Sequence, residues 1–370
     1  MIISQHLNCE HLGFGFLQLL QLATTIAAIF TTTSLIAQPA AQPSALKWEA
    51  LAPIPDANGF VSPFAGVTNG SLIVAGGSNF PDKKLWEGGQ KKWYDAVYIL
   101  ERPERAWTRI GELPRPIAGG ISVSTPDGIA CLGGGDAKHC YRDCFLLTYR
   151  DGKLVFKPLP ELPSSCVNSA GVLVGHTIYV AGGIDRPDST SALKSFWELD
   201  LNNQPAGWRK LEPWSGPGRM LATMGVQGDS LYLFSGVDLK PASDGKPERV
   251  WLKDAYRFTP GKGWHRIADL PRVAVAAPNP ALALGKSNLL VLGGDDGKQA
   301  KLPPETHTGF SRDVLSYDVT TDKWQTFGDM PFSLVTTRVV QWNDRIVIPG
   351  GEERPGVRSN KVWSAEFPPQ

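Results

Sequence analysis

Short apolar runs that end in a glycine pair recur along the whole chain. Each run holds three or four mostly apolar residues between polar turn residues, which is typical of a buried strand rather than a helix. Six such runs are present, each ending in Gly-Gly or Ser-Gly: residues 72–77, 129–134, 178–183, 231–236, 290–294 and 346–351. Self-similarity of this kind predicts a fold built from six equivalent units.

Two further markers accompany each run. Upstream lie an aromatic residue, an apolar residue and a proline, and the aromatic residues are Trp48, Trp107, Phe156, Trp208, Trp264 and Trp324. Downstream, after a loop, comes another short apolar strand, as at residues 95–98, 254–257 and 313–317. Each unit therefore supplies four short strands, and the chain is predicted to be all-β.

This pattern resembles the kelch repeat over residues 46–367. The resemblance implies a six-bladed β-propeller, with residues 46–370 as one domain. The chain's first strand, residues 47–51, is of the tryptophan type but has no blade before it, while the last blade stops after its third strand at residues 361–367. We predict that these two segments pair and close the ring, which removes an exposed sheet edge.

The connections between strands differ in length on the two faces of the predicted propeller. Those before the apolar runs are short hairpin turns, such as residues 68–71 and 227–230. Those after the glycine pairs are long, such as residues 78–94 and 295–312. Long loops on a rigid scaffold are where function concentrates, so we call the face that carries them the working face.

The N-terminal segment has a different composition. Residues 12–37 carry no charge, are largely apolar and end in small residues, which predicts a signal peptide over residues 1–37, followed by a short linker at 38–45. An uncleaved membrane anchor is the alternative. We expect a periplasmic or secreted protein with no stable membrane association after cleavage. Disulfides are then permitted, but spacing does not fix the pairing of Cys131, Cys140, Cys144 and Cys166.

Composition excludes several function classes. The net charge of +1 gives no electrostatic reason to expect a nucleic-acid partner. The cysteines lack zinc spacing, and the glycine pairs end strands without opening helices, so we expect neither a metal nor a phosphate-binding loop. A kelch copper oxidase would need a tyrosine, cysteine and histidine ligand set, which the six histidines do not suggest.

One loop concentrates ionisable side chains. It follows the sixth glycine pair and contains Glu352, Glu353, Arg354 and Arg358. A guanidinium matches a carboxylate ligand in shape and charge, and a glutamate can accept and return a proton. The residues thus suit proton transfer on an anionic sugar. The alternative is a surface ion pair that pins a turn.

Residues 351–358 resemble the G-E-x-x-P-G-x-R loop of the bacterial N-acetylneuraminate epimerases, which are six-bladed kelch propellers. Residues 47–53 and 64–77, Phe80 and the Lys91-Lys92 pair are also similar, in a cyclically permuted order. The resemblance implies an isomerase that interconverts the anomers of N-acetylneuraminate or a related acidic sugar, without cofactor. It implies Glu352 as general base and Arg358 as the group that binds the sugar carboxylate.

Other residues are candidates for the wall of the site. Asn79 and Phe80 are expected to line it. Four arginines between blades could also reach it, or could instead bond neighbouring backbone: Arg115, Arg219, Arg272 and Arg338. Of these, Arg219 and Arg338 are the predicted substrate contacts. A kelch module that binds protein or carbohydrate without catalysis is the second functional hypothesis, and the sequence gives no oligomeric state.

Overall fold

A computed structural model describes residues 46–242, 245 and 247–367. The predicted signal peptide and linker lie outside these residues, so both stay predictions. Within the described part of the chain, no helix combines the length and apolar character that a membrane crossing requires.

Six four-stranded antiparallel sheets make up the molecule, one for each sequence unit, and we number these blades in chain order. Blade 1 is Phe64–Thr68, Ser71–Ala75, Ala96–Leu100 and Thr108–Glu112; blade 2 is Ile121–Thr125, Gly128–Leu132, Cys144–Arg150 and Lys153–Pro158; blade 3 is Ala170–Val174, Thr177–Ala181, Phe196–Asp200 and Arg209–Lys210. Blade 4 is Thr223–Gln227, Ser230–Phe234, Ala255–Thr259 and Gly263–Ile267; blade 5 is Leu282–Leu284, Asn288–Gly294, Ser311–Asp318 and Lys323–Asp329; blade 6 is Val340–Trp342, Arg345–Pro349, Val362–Glu366 and Trp48–Leu51. The predicted six-bladed β-propeller is confirmed.

The ring closes in blade 6, where the two ends of the domain meet. Trp48–Leu51 pairs antiparallel with Val362–Glu366, and Trp48 lies opposite Ala365. Arg345, two strands away from Trp48–Leu51 in the sheet, forms ion pairs with Glu49 and Glu366, which ties the closing strand to the sheet. The predicted closure is therefore confirmed, and the third strand of blade 6 is covered by Trp48–Leu51.

A ring of backbone hydrogen bonds surrounds the axis, and we call it the axial ring. One residue from each blade connection donates its N–H to the carbonyl of the preceding one at 2.8–3.0 Å, and the bond from Ser62 to Thr336 completes the circle. All six members have φ between 51° and 74°: Ser62, Gly119, Asn168, Leu221, Ala276 and Thr336. Five of them are not glycine, so this left-handed conformation is held by the ring rather than by residue preference.

The glycine pairs are explained by backbone conformation. In blade 6, Gly350 has φ 64° and Gly351 has φ 112°. A Cβ on Gly351 would lie 3.0 Å from the Val335 carbonyl, so the second position accepts glycine alone. Blade 4 has serine at the first position, and Ser235 adopts φ 55° while its hydroxyl donates to Leu252 O at 2.8 Å. The pair thus turns each strand onto the working face.

The repeated tryptophans join neighbouring blades. Trp107 Nε1 donates to Ala52 O at 2.8 Å, and Trp324 Nε1 donates to Ala268 O at 2.9 Å. Each acceptor lies where the chain leaves the outer strand of the preceding blade. Trp208 and Trp264 make the same contact. Phe156 replaces tryptophan in blade 2 and packs on Phe145 instead.

Small elements decorate the working face. They are three two-stranded ribbons, Ser78–Asn79 with Lys92–Trp93, Val237–Pro241 with Pro247–Trp251, and Glu352–Arg354 with Val357–Arg358, and two short 3₁₀ helices, Leu85–Glu87 and Pro304–Thr306. A third 3₁₀ helix, Leu201–Ala206, joins the third and fourth strands of blade 3 on the opposite face, where Leu201 N donates to His176 O at 2.9 Å. An apolar cluster underlies the working-face elements near the axis and includes Ile184, Val237, Val275 and Val335. This packed floor supports the loops that carry ionisable residues.

Candidate active site

The loop after the sixth glycine pair folds into a tight ribbon. Glu352–Arg354 pairs with Val357–Arg358, which places Glu352 directly opposite Arg358. The backbone of Glu352 also forms two hydrogen bonds with Val335 in the connection between blades 5 and 6. The first residue of the ribbon is therefore fixed on both sides. Gly356 turns the ribbon with φ 80°. The fold thus brings together the two residues that the sequence predicts as catalytic.

Glu352 and Arg358 form a largely buried ion pair. Their side chains are 17% and 8% exposed, and Arg358 Nη1 donates to Glu352 Oε1. Gly356 N donates to the same oxygen at 2.8 Å. Among the described residues, Glu352 Oε2 and Arg358 Nη2 take part in no hydrogen bond, and the buried Nε of Arg358 has no partner either. Both side chains therefore keep polar atoms for a ligand.

The other two charged residues of the loop lie at its outer edge, the rim, and contact neighbouring residues there. Glu353 accepts hydrogen bonds from Ser359 Oγ at 3.0 Å and from Lys361 Nζ at 3.2 Å. Arg354 donates to Glu305 O at 2.8 Å, and its guanidinium lies 5.1 Å from the centre of the Trp86 ring. These contacts hold the loop against its neighbours, so Glu353 and Arg354 are distinct from the inner pair.

Phe80 and Asn79 occupy different layers. Phe80 lies against the site, because the Arg358 guanidinium is 4.9 Å from its ring centre. Asn79 is fully buried: its amide donates to Asp56 and Gly59, and its carbonyl accepts from Tyr94 Oη at 2.8 Å. The amide is thus engaged by protein, and Asn79 supports the Phe80 loop without a free polar group.

Lys91 is a site residue that the sequence analysis missed. Burial lowers the pKa of its ammonium, the Arg358 charge lowers that pKa further, and Glu352 raises it. By solvent accessibility the Lys91 side chain is exposed, and it lines an open cavity of about 310 Å³ together with Ser78 and Asp136, although Glu352 and Arg358 are not among the residues that line this cavity. That volume lies in the range of small-molecule sites, about 300–1,000 Å³. A lysine in a long loop gives no sequence signal of this placement.

Three of the four inter-blade arginines bind aspartates. Arg219 is fully buried and donates to Asp254 Oδ2 at 2.8 Å and to Ser235 O at 2.9 Å. Arg272 bonds Asp313, and Arg115 pairs with Asp143 at 2.9 Å. A fully buried side chain offers no surface to a ligand, so the structure does not support the predicted substrate contact by Arg219. Arg219 instead matches the alternative prediction, in which the arginine forms hydrogen bonds with neighbouring protein groups.

Arg338 lies apart from Glu352 and Arg358. It follows the axial-ring residue Thr336 and enters the first strand of blade 6, whereas Glu352 pairs with Val335 before the ring. Arg338 therefore lies on the other side of the axial ring from the ion pair.

Asp295 holds the position in blade 5 that Glu352 holds in blade 6. Its backbone bonds Val275 as Glu352 bonds Val335. Burial raises the pKa of Asp295, although the nearby His307 and Arg249 oppose the rise. His307 is buried, and its Nδ1 accepts from Gly309 N at 3.1 Å. Among the described residues, no group of three or more His, Cys, Asp or Glu side chains is arranged to hold a metal ion.

Comparison with known proteins agrees with this architecture. The family model described as N-acetylneuraminate epimerase matches residues 30–156 and 159–301. The chain belongs to the N-acetylneuraminate epimerase family. The solved structure of YjhT aligns with a TM-score of 0.62 at 15% identity, covering 84% of this chain and 95% of that one, which supports the propeller fold.

Curated members of the epimerase family are moderately similar. N-acetylneuraminate epimerase of Haemophilus influenzae (strain 86-028NP) is 28% identical over 234 residues, or 56% of this chain and 59% of the relative. That of Yersinia pestis (strain Pestoides F) is 28% identical over 230 residues, or 55% and 56%. The chain thus spans less than two thirds of these relatives' length. The family match ends at residue 301, so the roles of Glu352 and Arg358 and the permuted order stay predictions.

Proposed function

We propose that this protein is a mutarotase that interconverts the anomers of N-acetylneuraminate or a related acidic sugar. One observation carries the proposal: a partly buried carboxylate–guanidinium pair, Glu352 and Arg358, retains unengaged polar atoms on both members. Membership of the epimerase family supports the substrate class.

Mutarotation of a cyclic hemiketal needs one base and one acid. In the proposed cycle, Glu352 Oε2 takes the proton of the anomeric hydroxyl, and that oxygen becomes the carbonyl oxygen as the bond between the anomeric carbon and the ring oxygen breaks. The ring oxygen receives a proton from the acid. After rotation, the new hydroxyl adds to the opposite carbonyl face and returns its proton to the acid, while Glu352 returns the first proton. Nothing is oxidised or consumed.

Arg358 is proposed to hold the sugar carboxylate. Its Nη1 is occupied by Glu352, whereas its Nη2 takes part in no hydrogen bond among the described residues. A guanidinium can bind two carboxylates through different edges because it has five donors in one plane. Arg358 would thereby fix the sugar with its anomeric carbon beside Glu352. Phe80 backs the guanidinium and limits its movement.

Lys91 is proposed as the acid that protonates the ring oxygen. Its ammonium lies in the field of both Glu352 and Arg358, and its lowered pKa makes the proton easier to release. Since a general acid must be protonated, activity should fall as the pH rises through the lowered pKa of Lys91. Lys91→Arg keeps the charge but replaces the ammonium by a guanidinium, which does not give up a proton in proteins. This variant should retain binding and lose turnover.

The test is anomer exchange followed by NMR, starting from the crystalline anomer of N-acetylneuraminate. We expect Glu352→Gln to lower the catalysed rate by about 10²–10⁴-fold, the usual contribution of a general base. Glu353→Gln is the matched control, because that carboxylate binds only the rim residues Ser359 and Lys361. Normal exchange by folded Glu352→Gln would refute the base, and no acceleration by the unmodified protein would refute this substrate.

A further inference from the structure

Arg338 carries a buried charge that no carboxylate balances within the described residues. The residue is 8% exposed. Its Nε donates to Pro63 O at 3.5 Å and its Nη2 to Gly120 O, both of which are neutral backbone acceptors. Its Nη1 has no hydrogen-bond partner in the part of the chain that the structure describes. Burial lowers the pKa of the Arg338 guanidinium to about 10, as expected for a cation without a counter-ion.

The other three inter-blade arginines each have a carboxylate partner, which Arg338 lacks among the described residues. Arg115, Arg219 and Arg272 each bind an aspartate at or just before the start of the third strand of the following blade. An isolated buried charge is costly to a fold, whereas a charge beside an opposite charge is not. Arg338 therefore occupies a position that an anion would stabilise.

A cavity of suitable character adjoins Arg338. It has a volume of about 350 Å³ and is enclosed along the axis by the first strands of all six blades. Its polar wall consists of Arg338, Ser122, Ser124 and Gln341, and none of the described residues that line it is acidic. The cavity is thus positive and otherwise mostly apolar, with alanine, valine and leucine side chains.

The two serines face this cavity as hydrogen-bond donors. Ser122 Oγ accepts from Ala65 N at 3.0 Å, and Ser124 Oγ accepts from Val67 N at 3.2 Å. Among the described residues, neither hydroxyl donates to a protein acceptor. A hydroxyl that already accepts has its proton left for a ligand. The donors therefore match an acceptor-only species.

We propose that the axial cavity binds a small monovalent anion, a halide or a simple carboxylate, at Arg338. The hydroxyls of Ser122 and Ser124 complete the donor set. The site is separate from the mutarotase site, because the axial ring lies between Arg338 and the Glu352 loop. The anion neutralises the guanidinium and stabilises the junction of blades 6, 1 and 2.

Bromide is the probe, because its anomalous scattering locates it without reference to activity. Crystals of the full chain soaked in sodium bromide should show an anomalous peak within hydrogen-bond distance of the Arg338 guanidinium. In solution, bromide-81 NMR should show excess line broadening by the protein. Arg338→Met should remove both signals and remain folded, since an apolar replacement of a buried charge is often neutral or stabilising.

Two controls keep the result interpretable. Arg109→Gln alters an exposed arginine that pairs with Glu112, and it should leave the bromide signals unchanged. Ser122→Ala keeps the charge and should weaken bromide binding several-fold. Water alone at the guanidinium, or equal broadening by the Arg338→Met protein, would overturn the anion site without affecting the proposed mutarotase. Density for N-acetylneuraminate in this cavity, in place of the Glu352 loop, would overturn both.

Discussion

Arg219→Met should destabilise the propeller by about 3 kcal/mol. The side chain of Arg219 is 0% exposed and that of Asp254 is 13% exposed, so the substitution leaves a carboxylate with little access to water. Removing one partner of a buried pair costs about 3–5 kcal/mol, and the residual exposure of Asp254 favours the lower end. The Ser235 carbonyl also loses its guanidinium donor.

A control variant and a double-mutant cycle can separate the contribution of the stranded Asp254 charge. Arg109→Gln breaks a pair whose side chains are 54% and 60% exposed, and it should change the unfolding free energy by less than about 1 kcal/mol. Adding Asp254→Asn to Arg219→Met should recover part of the loss, because the stranded charge is then gone. The double variant should thus be more stable than the sum of the two single changes predicts.

The stability loss of Arg219→Met should depend on pH, in a direction that the pKa of Asp254 sets. Although burial opposes ionisation, the Arg219 guanidinium holds the pKa of Asp254 below its ordinary value of 3.8. A lowered carboxyl pKa contributes stability above the unfolded pKa, and that stability is lost as the pH falls through the folded pKa. The deficit of Arg219→Met should therefore be largest at neutral pH and shrink below about pH 4. Urea unfolding followed by tryptophan fluorescence measures it, and a deficit under 1 kcal/mol at pH 7 would refute the reasoning.

Two further predictions concern the blade junctions and the thiols. Trp107→Phe removes the 2.8 Å bond to Ala52 O and should cost about 1–3 kcal/mol in urea unfolding; an unchanged midpoint would mean that the indole bond between blades adds nothing. Cys140 should react with iodoacetamide before the three buried cysteines, since it alone is partly exposed within the described residues. Burial, together with Asp185 and Asp136, raises the pKa of Cys140 to about 11, so its alkylation should accelerate up to that pH, and rapid reaction at pH 7 by mass spectrometry would contradict this.

The sequence predicts the scaffold well because each repeated residue has one physical task. The glycine pairs meet a positive φ that other residues avoid, and four of the five repeated tryptophans reach a carbonyl of the preceding blade. Ring closure follows from a surplus strand at one end and a missing strand at the other, and Trp48–Leu51 fills that place. These features depend on local conformation and on counting strands, both of which a sequence records.

The site is only partly predictable for the same reason. Glu352 and Arg358 are close in sequence, and a Pro-Gly turn between them indicates that they meet. Lys91 lies far from them in the chain, in a long loop whose path is set by tertiary packing. For the arginines, a signal was available: Arg219 precedes the axial-ring residue of its connection, whereas Arg338 follows Thr336. That order places the two on different sides of the ring.

Departures from the repeat indicate where this fold carries chemistry. The residue after each glycine pair makes the same backbone bridge in all six blades, and the six residues are Ser78, Gly135, Ile184, Val237, Asp295 and Glu352. The bridge needs no particular side chain, so the fold does not require an acid at any of them. Glu352 is the acid of this set whose carboxylate meets an arginine. The scaffold accounts for the repeated residues. A charged side chain that departs from the repeat, and that is buried at an energetic cost, therefore needs a ligand or a reaction to explain it. Glu352 on one side of the axial ring and Arg338 on the other both satisfy this criterion, which is why each is assigned a separate anionic ligand.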